Sequence, residues 1–209
     1  MPTLQLVACP DVLAVSIAGQ RLAFLPVALT FLEHGLTDVF AHKNNKTVRE
    51  SLAHRRYAKF AKLIAAEYLA SIDQPLGTFL ITLKRSGDST YKQFLNPYGD
   101  GVYCRFRMER GPLSTKKGLY CYCVDSRIVY VGRSIDPFEK RLNQGYGTIH
   151  PKNCFLDGQA TNCHLNALVA ESVTAVSFHV CPLTDDAEIY RLERLLIQTL
   201  KPNWNIALK

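Results

Sequence analysis

The sequence predicts an α+β protein, with a small antiparallel sheet flanked by helices in its C-terminal part and an α+β region before it. Two apolar runs, Gly118 to Val124 and Ile128 to Val131, surround Asp125-Ser126 as the arms of a hairpin do. Acidic helix-start signals follow at Asp136-Pro137-Phe138-Glu139 and at Asp185-Asp186-Ala187-Glu188. The resulting order of hairpin, helix, helix, strand and helix lacks the strand–helix alternation of a parallel sheet. With 209 residues, 47% hydrophobic and 21% charged, the chain is long enough for one sizeable domain or two small ones and has an ordinary globular balance. That balance excludes a disordered chain. No apolar run reaches the roughly 18 residues of a spanning helix, which excludes an integral membrane protein.

In the first half, Val12 to Ile17 and Arg21 to Leu25 read as strands joined at Ala18-Gly19-Gln20. Pro26 to Leu36 reads as a short helix. Thr47-Val48-Arg49-Glu50 is a capping-box pattern that opens a longer one, running to about Ser71. Its apolar residues Leu52, Tyr57, Phe60, Leu63, Ile64 and Tyr68 cover one broad face. Arg55, Lys59 and Lys62 project together from the other, as a solvated face or a phosphate-contacting one. Thr78 to Leu83 and Gly101 to Arg107 read as strands, with a polar turn near Gly87-Asp88. Gly111-Pro112-Leu113-Ser114 is a connector. It divides residues 1–110, an α+β region for DNA binding, target recognition or dimerisation, from residues 111–209.

In the second half, Asp136 caps a helix that carries Lys140, Arg141 and Leu142, with Pro137 at its first position. Asn162 to Ser172 sets Leu165, Leu168 and Val169 on one stripe. Thr174 to Cys181 is a strand, and the last helix runs from Asp185 to Leu200, where Lys201-Pro202 stops it.

The formal charge of +7 suits a polyanionic partner. Most of the excess lies before Gly111, with 14 basic and 9 acidic residues against 11 and 9 after it. Leu6-Val7-Ala8-Cys9 looks like a lipoprotein cleavage box. No Lys or Arg precedes it and its apolar stretch is short, so a first strand is the plainer reading. Seven cysteines form no disulfide framework or zinc-site spacing. Reduced thiols in a cytoplasmic protein are expected.

Glu193 is the most informative residue on physical grounds. At 100° per residue it lies within about 40° of Ile189 and Leu200, at the edge of the buried stripe. A carboxylate there needs a cation, either a metal ion or an arginine such as Arg141.

Gly118-Leu119-Tyr120, nine residues, and then Tyr130-Val131-Gly132 resemble the paired motif of the GIY-YIG nuclease superfamily. Four further elements follow in the family's order. They are Arg141 in its helix, His164 in Asn162-Cys163-His164-Leu165, Glu193 in Arg191-Leu192-Glu193-Arg194, and Asn205 in Asn203-Trp204-Asn205-Ile206-Ala207. The similarity covers about Lys117 to Lys209 and is greatest to phage homing and DNA-degrading members. Leu119 and Val131 stand where the motif has isoleucine, and the hairpin is about a residue shorter than usual.

The resemblance implies a metal-dependent DNA endonuclease of restriction, phage, homing or repair type, hydrolysing phosphodiester bonds of double-stranded DNA. Glu193 would hold one Mg²⁺ or Mn²⁺, since a hard carboxylate suits a hard ion. Arg141 would clamp the scissile phosphate. Tyr120 would be the general base, with His164 taking its proton, because a phenol with an ordinary pKa near 10 is a poor base at neutral pH. Tyr130 would orient water or phosphate, and Asn205 would brace the site. Arg133 and Lys116 are further phosphate contacts, beside Arg55, Lys59 and Lys62. A single site cuts one strand, so a double-strand break requires a homo-oligomer, a second site or successive nicks. The alternative is a catalytically inactive DNA-binding protein on the same scaffold. An RNA partner is a third reading, though no aromatic single-strand platform is visible.

Overall fold

The computed structural model describes residues 12–206 and is a mixed α+β protein built on an antiparallel sheet. The expected strand at Leu6 to Cys9 lies outside the described residues. The chain divides into two compact units. Unit one comprises, of the described residues, 12–34, 104–148 and 168–206, and unit two comprises 35–103 and 149–167. Each unit thus draws on chain from both sides of the 110/111 boundary expected from the sequence. The reason lies in the strand pairing of unit one.

That unit carries β1 (Leu13–Ile17), β2 (Gln20–Val27), β5 (Gly118–Val124), β6 (Arg127–Ser134) and β7 (Val176–Pro182) in one sheet of order β1-β2-β7-β5-β6. The N-terminal hairpin extends the sheet by pairing β2 antiparallel to β7, with Pro26 opposite His179. The β5–β6 hairpin turns at Asp125 and Ser126, both at positive φ (49° and 63°). Two such residues match the right-handed twist of the flanking strands. One face of the sheet, with Leu119, Cys121, Cys123, Val131 and Cys181, packs under Ile189, Leu192 and Leu196 of α6 (Asp186–Leu200). Asp185 caps α6 through its side chain, and Lys201 closes it in the left-handed region before Pro202. The opposite face is aromatic: Tyr122 and Phe178 lie 5.0 Å apart and Tyr120 and Phe178 5.7 Å apart.

One expected element of the first half differs around this sheet. Pro26 to Leu36 is not a helix: it completes β2 and forms β3 (Leu29–Leu36), which pairs with β4 (Tyr103–Met108). Leu29, Thr30 and Phe31 are buried in succession, which suits a strand covered on both faces. Phe31 meets Phe106 at 5.5 Å.

Unit two has its own aromatic core, which includes Phe40, Tyr57, Phe60, Phe79, Phe94 and Phe155. The capping box is present, with Thr47 accepting from the Glu50 amide and Glu50 accepting from the Thr47 amide. The helix it starts, α1 (Val48–Leu52), ends after five residues. A turn and a short 3-10 segment intervene before α2 (Ala61–Glu67). In one unbroken helix Val48 and Tyr57 would point about 180° apart. The break turns both inward, at 0% and 1% exposure. Arg55, Lys59 and Lys62 are therefore exposed cations but do not share one helix face.

Thr78 to Leu83 is not a strand. It lies in α3 (Leu76–Arg85), where Leu76, Phe79, Leu80 and Leu83 are buried at helical spacing. Thr78, Phe79, Ile81 and Thr82 are strand formers by propensity, and burial at positions i, i+3, i+4 and i+7 overrides it. α4 (Phe138–Arg141) belongs to unit one, and α5 is Ala160–Glu171. No helix among the described residues is long and apolar enough to cross a membrane.

Candidate active site

Strand parity sorts the motif side chains of unit one. Tyr120 lies opposite Gly132 and Tyr122 opposite Tyr130, while Arg133 lies opposite Leu119 on the α6 side. Both motif glycines answer to close approach. A Cβ on Gly118, which sits at φ +144°, would come within 2.2 Å of the Cys181 carbonyl oxygen. A Cβ on Gly132 would lie 2.5 Å from the ring and hydroxyl of Tyr120. Gly132→Ala is therefore expected to displace the Tyr120 ring and to destabilise the protein by about 1–3 kcal/mol, read as a lowered denaturant midpoint.

At this end of β5 and β6 a cleft of about 270 Å³ is lined by Tyr120, Tyr130, Arg133, Arg141, Tyr190 and Glu193, with Ser134 to Asp136 at its rim. Tyr146 ties the tyrosines to the arginine from below. Tyr120 donates to the Tyr146 hydroxyl at 2.9 Å, and the Tyr130 hydroxyl lies 3.4 Å from it. Arg141 Nη2 donates to the same oxygen at 2.6 Å. Arg141 Nε, shielded from solvent, has no hydrogen-bond partner among the described residues. Burial pushes the phenols of Tyr120 and Tyr130 well above the ordinary tyrosine range, against the pull of the Arg141 charge.

Tyr146 belongs to no motif of the sequence. It ends the π-helical turn Leu142–Tyr146 that continues α4. In an α-helix a residue five beyond Arg141 would point about 140° away from it. The π-turn, whose repeat spans five residues, brings it back beneath the arginine. Tyr146→Phe removes the shared oxygen and leaves two buried phenols short of a partner. It is expected to cost about 1–3 kcal/mol in a denaturant titration, more than Tyr130→Phe.

Across the cleft, Glu193 is buried on α6 and ion-paired with Arg133. The partner is thus Arg133 rather than Arg141, the arginine suggested by the sequence. The Arg133 guanidinium also stacks on Tyr190 at 4.0 Å. Its side chain is 34% exposed against 10% for Glu193, so the arginine covers the carboxylate from the solvent side. Among the described residues no three His, Cys, Asp or Glu side chains converge as a metal site. Glu193 fits a cation only as a single protein ligand, with waters and a phosphate oxygen completing the shell. A buried carboxylate oxygen donor at the cleft suits a hard cation, which would have to displace Arg133 from it.

The remaining sequence candidates are not among the residues that line this cleft. Asn205 clips the edge strand β6 through both backbone groups of Val131, accepting from its amide at 3.0 Å and donating to its carbonyl at 2.8 Å. It braces the strand between Tyr130 and Gly132. His164 belongs to unit two, where its ring lies 4.4 Å from that of Tyr98. Within unit one, Tyr146 is the hydroxyl that receives the Tyr120 proton donor, the place the sequence reading gave to His164. Lys116 is exposed, and its carbonyl accepts from the Phe138 amide at the start of α4.

No family model matches the chain, and comparison with curated proteins and with solved structures likewise gives no match.

Proposed function

We propose that the protein is a divalent-cation-dependent endonuclease of the GIY-YIG type, which hydrolyses phosphodiester bonds in double-stranded DNA at the cleft of unit one. One observation carries the reading. Residues 120, 130, 141 and 193, spread along the sequence, meet in one cleft as two tyrosines, an arginine and a buried carboxylate. Phosphodiester hydrolysis asks for a held water, a cation against the phosphate and stabilisation of the leaving oxygen.

Arg141 binds the scissile phosphate with the guanidinium donors that Tyr146 leaves uncommitted, and it neutralises charge as five oxygens gather about phosphorus. Tyr120 holds the attacking water through a lone pair while its own proton rests on Tyr146. As the water oxygen bonds to phosphorus, the water's proton passes to Tyr120 while the Tyr120 proton shifts to Tyr146, the Tyr146 proton to Tyr130 and the Tyr130 proton to solvent in the cleft, so that each phenol ends neutral. The P–O bond to the leaving sugar oxygen breaks, and that oxygen takes a proton from solvent. Tyr130 keeps the water and Tyr146 in line. Glu193 would hold the divalent ion, which when bound would supply Lewis-acid polarisation of the phosphate and charge stabilisation at the leaving oxygen. Arg133 must then yield the carboxylate, and its guanidinium is free to meet a neighbouring phosphate.

Binding without cutting is a second reading, favoured by the neutralisation of Glu193 by Arg133. Supercoiled plasmid incubated with Mg²⁺, Mn²⁺ or EDTA separates the two. Nicked or linear product in either metal that disappears in EDTA is expected. Tight plasmid binding with no product in any metal would favour the second reading.

A further inference from the structure

Unit two carries more positive charge than its acids answer. Its residues include eleven Lys and Arg and seven Asp and Glu. Asp38 and Asp100 pair with Lys84, Asp73 with Arg49 and Asp157 with Lys43. Glu50 closes the capping box, and Asp88 accepts from Tyr68 and the Thr90 amide. Lys46, Arg55, Lys59, Lys62 and Lys152 are exposed, with no carboxylate in ion-pair range among the described residues.

Three lysines lie in or shortly after two packed 3-10 turns. Lys43 follows the 3-10 turn Val39–His42, Lys152 lies in the 3-10 turn Pro151–Cys154, and the two turns pack together. Lys43 Nζ sits 4.1 Å over the Phe155 ring and 3.7 Å from Asp157 Oδ1. That same oxygen accepts from the Tyr57 hydroxyl. Lys46 and Lys152 stand near enough to repel the Lys43 charge, and burial together with this repulsion holds its pKa below the ordinary lysine range against the pull of Asp157. The backbone fixes the arrangement, since the Lys43 and Lys46 carbonyls accept from the Gly77 and Leu76 amides at 3.1 and 2.9 Å. Asp157 answers the Lys43 charge, which leaves Lys46 and Lys152 as the exposed cations beside it for a phosphate to neutralise. Further unpaired cations on the same unit suit a polyanion rather than a single phosphate.

We propose that Lys46 and Lys152, beside the ion-paired Lys43, form a docking site on unit two for the phosphate backbone of double-stranded DNA. The site rests on the DNA partner proposed above but not on cleavage.

The test is fluorescence anisotropy of a labelled 20-base-pair duplex with the full chain, from about 50 to 300 mM NaCl without divalent metal. Lys46→Ala/Lys152→Ala is compared with Arg85→Ala/Lys92→Ala, which removes equal charge from exposed positions elsewhere in unit two. Each lost phosphate contact removes about 0.9 from the slope of log K against log salt. The first pair is expected to flatten the slope by about two and to weaken binding about tenfold at 100 mM, with the control pair close to wild type. An unchanged slope, an equal change in both pairs, or no duplex binding by wild type would overturn the site. Loss of slope in a protein that never cuts DNA would support the site while sinking the nuclease reading. Cutting with an unchanged slope would do the reverse.

Discussion

Glu193→Gln is expected to lower plasmid cleavage in Mn²⁺ by a factor of about 100 to 1000 or more, the scale seen when one preorganised charge-stabilising group is removed. The substitution keeps the side chain's shape and one carbonyl oxygen. Arg133 retains an acceptor, and the effect on folding is smaller than with alanine. Loss of cleavage with a melting temperature near that of wild type would therefore report lost cation binding rather than lost structure. Calorimetric titration with Mn²⁺ checks the same point: wild type is expected to bind and Glu193→Gln is not.

Arg141→Lys is the second large effect, at about 100-fold or more in cleavage rate. Lysine keeps the charge but loses the planar fork, and an ammonium cannot grip a phosphate bidentately while also donating to Tyr146. The comparison with Tyr146→Phe separates the two duties. If Arg141 acts mainly by positioning Tyr146, the two variants slow cleavage equally. If it acts mainly on the phosphate, Arg141→Lys is the slower. Single-turnover rates on plasmid decide between them.

Much of this cleft could be read from the chain because its parts are local. The hairpin is announced by Asp125-Ser126, and α6 by its acidic start and Pro202. Tyr120, Tyr130, Arg141 and Glu193 are placed by strand and helix periods that run unbroken through each element. Even the need of Glu193 for a positive partner follows from its angle on α6. The choice of Arg133 over Arg141 did not follow, because it depends on how the end of β6 packs against α6.

The less legible parts are those in which packing overrides a local pattern. Tyr146 sits beneath Arg141 only because one turn is π-helical, a change of repeat that no spacing reveals. The segment from Thr47 has a true capping box and an apolar face, yet it breaks at Ala53 so that Val48 and Tyr57 can share a core. The strand-forming residues of Thr78 to Leu83 are drawn into a helix by burial at four positions. His164 matches the family order in the sequence and falls in unit two.

The most direct test of the cleft as a nuclease site is one gel of supercoiled plasmid, with wild type and Glu193→Gln side by side in Mn²⁺ at protein concentrations giving equal DNA binding. Nicked or linear product from wild type alone is the expected result. Equal cleavage by both would contradict the assignment of Glu193 and, with it, the account of the cleft.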